Sequence, residues 1–181
     1  NKSLYCRENA LRALYSSEDI HAVMQALEFL NANEQLLPHK KILADGLLSF
    51  DKKEELIPLL WKKLSEFHPR MQVNLLDYIR YASSNWKDEM LSMLETSQDM
   101  EIQIACVRYF GRYQDERSVS FLLHHAEEEK EGFWELQNAC ISSLAMYPGP
   151  QTLEILKKEI YSKNWYVRHN AAKSLAVLNT D

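Results

Sequence analysis

Apolar residues recur along this chain at helical spacing, and the clearest case is residues 164–178, NWYVRHNAAKSLAVL. Val167, Ala171, Leu175 and Leu178 stand at i, i+4, i+8 and i+11, so all four share one stripe of a helix. Asn164, three residues ahead of Val167, can accept from the free N–H groups of the first turn, which predicts a helix start there. With Val167 as a key position, the stripe recurs upstream as Leu136, Cys140, Leu144 and Tyr147, then as Ile102, Cys106, Phe110 and Tyr113. Further back come Met71, Leu75, Ile79 and Ala82, then His39, Leu43, Leu47 and Phe50, and finally Cys6, Ala10 and Leu14. The keys at 6, 39, 71, 102, 136 and 167 lie 31 to 34 residues apart. That period holds one helix pair per unit and marks a helical solenoid.

A second set of helices fills the intervals, each behind a polar starter. Ser17 precedes Ile20, Val23, Leu27 and Leu30; Asp51 precedes Leu56, Leu60 and Leu64; Asn85 precedes Met90 and Leu94; Asp115 precedes Val119, Leu122 and Ala126; Thr152 precedes Leu153, Leu156 and Ile160. This is the A set and the keyed helices are the B set. The joining segments, such as Ser83-Ser84-Asn85, Gln114-Asp115 and Pro148-Gly149-Pro150, are short, so neighbouring helices must be antiparallel. Pro58 interrupts an A stripe and predicts a kink or a late start, whereas Pro38 and Pro69 sit near the fronts of B helices, where a missing N–H does little harm. One such pair cannot bury its own stripe, so each unit must lean on its neighbours.

Composition narrows the class. The 181 residues hold only four glycines and five prolines, too few for a sheet protein rich in tight turns or for a glycine-rich nucleotide loop. With 46 % apolar and 26 % charged residues the chain reads as globular and all-α. A net charge of −5 offers no global positive field for phosphate backbones or anionic lipid, which disfavours nucleic acid. No apolar run reaches the eighteen or so residues that cross a bilayer, so no membrane insertion by this segment is expected. The chain opens on Asn without a signal-peptide core and reads as cut from a longer protein.

The residues 165–175, with Val167, Arg168, Ala171, Ala172 and Leu175, resemble the second helix of HEAT-like repeats, the short bacterial kind in particular. Asp99 to Ile102 and Phe133 to Leu136 are similar but weaker, and Trp134 and Trp165 each stand two residues before a key. The resemblance implies a right-handed α-α solenoid of helical hairpins: one domain over 1–181, about five helix pairs after an N-terminal half repeat. In such repeats an Arg just after the key belongs to a polar ladder bridging adjacent units. That position holds Arg7, Lys40, Gln72, Gln103, Gln137 and Arg168 here, so the ladder is expected to be amide-based in the middle. The resemblance also implies a protein-binding scaffold, although some similar arrays bind nucleic acid, excise damaged DNA bases or attach chromophores to light-harvesting proteins. A cytoplasmic location is expected, with tethering to a membrane through a missing segment as an option, because the sequence also resembles the soluble portion of membrane-anchored HEAT proteins.

On each B helix the direction opposite the stripe is marked by key+2, key+6 and key+9. Those positions are Glu8, Arg12 and Tyr15; Lys41, Asp45 and Leu48; Val73, Asp77 and Arg80; Ile104, Arg108 and Gly111; Asn138, Ser142 and Ala145; His169, Lys173 and Ala176. Arg12, Lys41, Arg80, Arg108 and Lys173 against Glu8, Asp45 and Asp77 make a mixed, modestly basic groove. Val73 and Ile104 are its apolar anchors, for a protein or peptide partner or another domain of the same chain.

No other chemistry stands out. Cys6, Cys106 and Cys140 lie on stripes and contain no CxxC pair, so they read as buried free thiols in a reducing compartment. His124 and His125 point about 100° apart on a helix and cannot share an ion. The acidic run at Glu127, Glu128, Glu129 and Glu131 reads as a solvated helix end. HExxH, GxSxG, Walker and GxGxxG patterns are missing from the sequence, so no cofactor, metal or catalytic role is expected.

Overall fold

The computed structural model describes residues 9, 12–16, 19–33, 40–127 and 132–178, without the side chains of 40–42. Among these residues there is no strand. Ten helices follow the short helical stretch at 12–15. They are α1 (Ile20–Ala32), α2 (Lys40–Ser49), α3 (Lys53–Lys63), α4 (Pro69–Ala82), α5 (Lys87–Thr96), α6 (Met100–Phe110), α7 (Val119–Ala126), α8 (Trp134–Leu144), α9 (Pro150–Glu159) and α10 (Trp165–Leu178). Odd numbers are the A set and even numbers the B set. The chain forms two compact units, Asn1–Ser83 and Ser84–Asp181.

Helices α4, α6, α8 and α10 begin where the pattern predicts, just after a residue three places before the key. Asn164 Oδ1 accepts from Tyr166 N at 2.9 Å, Asp99 Oδ1 accepts from Glu101 N and Ile102 N, and His68 Nδ1 accepts from Arg70 N at 3.4 Å. Each satisfies a donor that a first turn otherwise leaves open. Phe133 holds the same place before α8 without a side-chain cap. The A helices differ more from expectation. Asp115 accepts from Arg117 N but caps a 3-10 turn at Glu116–Ser118, and Ser118 stands at the N-cap of α7; α1 is capped by Asp19, and Lys52 and Trp86 stand at the N-caps of α3 and α5 in place of Asp51 and Asn85. Thr152 is no starter at all: it lies buried inside α9, which opens at Pro150, where the missing N–H needs no cap. Ser17 and Pro38 lie outside the described residues. Helix α3 runs through Pro58, which costs it one internal hydrogen bond.

In unit Asn1–Ser83, α2 and α3 pack on α4, and α1 packs on α3. Leu43, Leu47, Phe50, Met71, Leu75 and Ile79 are all fully buried, so the stripes form its core. Glu28 pairs with Lys63 and Asn31 Oδ1 accepts from His68 N at 2.7 Å, fastening α1 to the end of α3 and the start of α4. Gly46 lies so close to the buried ring of Tyr15 that a Cβ there would overlap the ring carbons.

In unit Ser84–Asp181, α5 packs on α6, α7 on α8, and α9 on α10; α6 packs on α8, α8 on α10, and α7 on α9. The stripe residues Ile102, Cys106, Phe110, Leu136, Cys140, Leu144, Val167 and Ala171 are buried. One hydrogen bond repeats between consecutive B helices. Ser143 Oγ donates to Val107 O at 3.0 Å, and Ser174 Oγ donates to Ile141 O at 3.0 Å. Both serines stand at key+7 and both carbonyls at key+5 of the preceding B helix. Tyr147 pins the α6–α7 turn: its hydroxyl donates to Phe110 O at 2.9 Å and accepts from Asp115 N at 3.1 Å.

The polar residues after the keys do something other than the expected bridging. Gln72 donates to Phe67 O, Gln103 to Ser97 O, and Arg168 to Ser162 O and Lys163 O. These carbonyls lie in the turn before the residue's own helix, so the side chains close their own hairpins. Only Gln137, among those described, reaches further: it donates to Ala126 O at 3.1 Å and to Glu159 Oε2 of α9 at 3.3 Å. The reason is reach, since key+1 projects over the turn that precedes it in its own helix.

Candidate functional site

The predicted groove positions separate into three behaviours. Arg12, Asp45, Arg108, Ser142 and Lys173, all at key+6, are exposed. At key+9, Tyr15 is buried, while Leu48, Gly111 and Ala145 are half-buried. At key+2, Ile104 is 4 % exposed and belongs to the core, not to a groove. Val73 and Asn138 are half-buried and His169 is exposed. The physical reason lies in α8, which is flanked by two further B helices as well as an A helix, and in α6, which packs on α8 as well as α5. The direction opposite the stripe is therefore narrower than a free helix would give. Glu8 and the side chain of Lys41 lie outside the described residues.

Asp77 and Arg80 also leave the set of free charges. Asp77 is 7 % exposed, and its Oδ1 lies 2.9 Å from Arg80 Nη2. The same guanidinium stacks over the Tyr81 ring at 4.3 Å and donates to the Tyr81 hydroxyl at 2.9 Å. Within residues 84–181 the exposed column that remains is Arg108, Ser142 and Lys173 on α6, α8 and α10.

A feature that the groove positions missed lies at the front of α8 and α10. Trp134 and Tyr166 stack with ring centroids 5.2 Å apart and planes at 22°. Tyr166 meets Trp165 edge-on at 5.1 Å, and Trp165 stacks on His169 at 5.2 Å and 8°. Trp165 and Tyr166 are 59 % and 55 % exposed. Between the same two helices Asn170 Nδ2 donates to Asn138 Oδ1 at 2.7 Å. Two aromatic pairs at adjacent keys, Phe133-Trp134 and Trp165-Tyr166, were the available signal. Large rings on a water-facing surface carry binding energy out of proportion to their number.

A cavity of about 490 Å³ opens between the α6–α7 turn, α7 and the α8–α9 turn, lined by Gln114, Glu116, Leu123, Met146, Pro148 and Thr152 among others. Glu116 is the one charged side chain in its wall, so it offers no acid and base pair. Elsewhere, His125 packs against Phe121 with ring centroids 4.2 Å apart and planes tilted by 45°, and Glu127 lies 4.0 Å from Lys158; Glu128, Glu129 and Glu131 are outside the described residues. Cys106 and Cys140 are buried free thiols, and burial pushes the Cys106 thiol up to about 12 and raises that of Cys140 as well. Among the described residues no group of three or more His, Cys, Asp and Glu could hold a metal ion, and no helix is long and apolar enough to cross a membrane. No family model matches this chain, and no curated protein or solved structure matches it either.

Proposed function

We propose that this chain is a non-catalytic binding module, a right-handed HEAT-like solenoid of helical hairpins that holds a segment of another polypeptide, or of its own longer protein, against its B helices. The observation that carries this reading is the repeated hydrogen bond between key+7 serines and key+5 carbonyls. It supports reading α6, α8 and α10 as equivalent members of a stack, with the exposed Arg108, Ser142 and Lys173 as a column along it. Such stacks use extended faces for binding, and rim charges there set partner choice. Affinity capture with the intact chain and with Arg108→Glu/Lys173→Glu tests it. The reading expects a polypeptide retained by the first and lost by the second; retention by both would refute it.

A nucleic-acid-binding or DNA-repair solenoid is the second reading. Exposed Trp165 and Tyr166, on a segment that also carries exposed Lys163 and Lys173, favour it, since bases stack on such rings. Against it, residues 84–181 carry ten Lys or Arg and fifteen Asp or Glu. Binding of single-stranded and duplex DNA at two salt concentrations separates the two readings, because phosphate recognition falls steeply with salt.

A further inference from the structure

We propose that the outward face of α10 is the seat of an acidic amphipathic helix, which lays an aromatic ring on Trp165 and donates a hydroxyl hydrogen bond to the Ala172 carbonyl. This rests on the polypeptide-binding reading and names the partner and its place.

The inference comes from comparing equivalent positions on successive B helices. At key−2, Trp134 of α8 is covered by Tyr166 of α10, 5.2 Å away; its equivalent on α10, Trp165, is 59 % exposed. At key+5, Val107 and Ile141 are buried and their carbonyls accept a serine from the following B helix. The equivalent Ala172 is exposed. A helical carbonyl can take both its own helix's N–H and a hydroxyl through its two lone pairs, as Val107 O does with Gly111 N at 2.9 Å and Ser143. At key+9, Gly111 lies against Ser143, whereas Ala176 is exposed. So α10 presents more exposed the face that α8 turns toward α10: the Trp165 ring with His169 stacked on it, a carbonyl and two alanines small enough for close helix approach.

The register of the occupant follows from α10 itself, which reads α8 with Tyr166 and Ser174. A helix seated on α10 in the same way carries an aromatic residue at one position and a Ser or Thr eight later, on one face. Its charge follows from the seat. Residues 160–178 contain Lys163, Arg168, His169 and Lys173 and no Asp or Glu, and none of the ion pairs among the described residues uses Lys163 or Lys173. A second copy of α10 would bring like charges together, so the complementary occupant is acidic. It is also a single helix, because the exposed positions of α9 beyond Pro150 are Gln151, Glu154, Lys157 and Lys158, which give a second helix no apolar seat.

The test uses the full chain and a synthetic helical peptide with Tyr and Ser eight residues apart and Glu on its flanks, titrated by calorimetry. Trp165→Ala and Ala176→Arg, both at exposed sites, should each weaken binding at least tenfold without changing the melting temperature, and Ser→Ala in the peptide should weaken it about fivefold. Gln98→Ala, at an exposed site between α5 and α6, should leave it unchanged. No binding, or equal binding of a Lys-flanked peptide, would overturn the proposal. So would self-association that Trp165→Ala abolishes, which assigns the face to a second copy, or tighter Trp165-dependent binding of a single-stranded oligonucleotide, which assigns it to nucleic acid. Peptide binding lost in Arg108→Glu but kept in Trp165→Ala would remove this seat and leave the polypeptide-binding reading standing.

Discussion

Gly111→Ala tests how closely α6 and α8 approach. Gly111 has ordinary right-handed helical angles, φ −66° and ψ −14°, so alanine is allowed there and restricts the unfolded chain, a gain of about 0.4–1 kcal/mol. Its added methyl, however, would stand 2.5 Å from Ser143 Oγ, 3.0 Å from Ser143 Cβ and 3.2 Å from the Ser143 main chain. The hydroxyl can rotate away, losing its bond to Val107 O, but the Ser143 main chain can give way only if the two helices part by a few tenths of an ångström. Overpacking of this kind costs about 1–3 kcal/mol, so the net effect is a loss of about 1–2 kcal/mol, or about 2–8 °C in melting temperature for a chain of this size. Urea unfolding followed by circular dichroism measures it. In a Ser143→Ala background the penalty should fall by about 0.5 kcal/mol or more, because one of the clashing atoms is gone. Gly149→Ala, where nothing lies within 4 Å, is the control and should be neutral within about 0.5 kcal/mol. If Gly111→Ala is as harmless as Gly149→Ala, the close α6–α8 approach is refuted.

Other expectations follow from particular neighbours. Gly46→Ala should destabilise despite the better helix propensity of alanine, because the buried Tyr15 ring must move; thermal melting reads the sign, and a gain in stability would contradict the packing. Ser174→Ala should cost about 0.5–1.5 kcal/mol by removing the bond to Ile141 O, measured by denaturant titration. In a Cys6→Ser background, dithiobis-nitrobenzoate should find no reactive thiol in the native protein and two after unfolding, since the thiolate is the nucleophile and burial holds Cys106 and Cys140 protonated. The hydrogen bond from Arg117, with burial opposing, lowers Asp115 below the usual carboxylate range. A depressed carboxylate stabilises the fold above its unfolded value near 4 and loses that contribution as pH falls through the folded value. Asp115→Asn should therefore destabilise at pH 7 and narrow the difference between melting temperatures at pH 7 and pH 3.

Much of the core was legible because burial follows a strict spacing: the stripes from Met71, Ile102 and Leu136 are buried at their first three members, and that from Val167 at its first two. The helical class followed from the same spacing. The A-helix starts were harder. A cap depends on which residue leaves helical geometry, and near Trp86 or Pro150 several residues could do so. The groove positions failed where tertiary packing intervenes: periodicity finds the side of a helix facing its hairpin partner, but Ile104 is buried and Gly111 lies against Ser143 because other helices pack there, information held in the pairing of distant segments. The aromatic surface was visible as Trp165-Tyr166, yet its stacking on Trp134 needs α8 and α10 side by side. Glu159, a carboxylate 1 % exposed and bonded by Gln137, is legible only with both helices in place.

That α6, α8 and α10 occupy equivalent places in successive layers is tested most directly by electron-paramagnetic distances between spin labels at the exposed key+6 positions 108, 142 and 173, with Cys6 replaced by Ser and the buried thiols left in place. The stack predicts matched distances for the 108–142 and 142–173 pairs, and a 108–173 distance longer by about one interhelical spacing, about 8–10 Å. Three similar distances, or a 108–173 distance shorter than either neighbour pair, would mean a closed bundle and would contradict it.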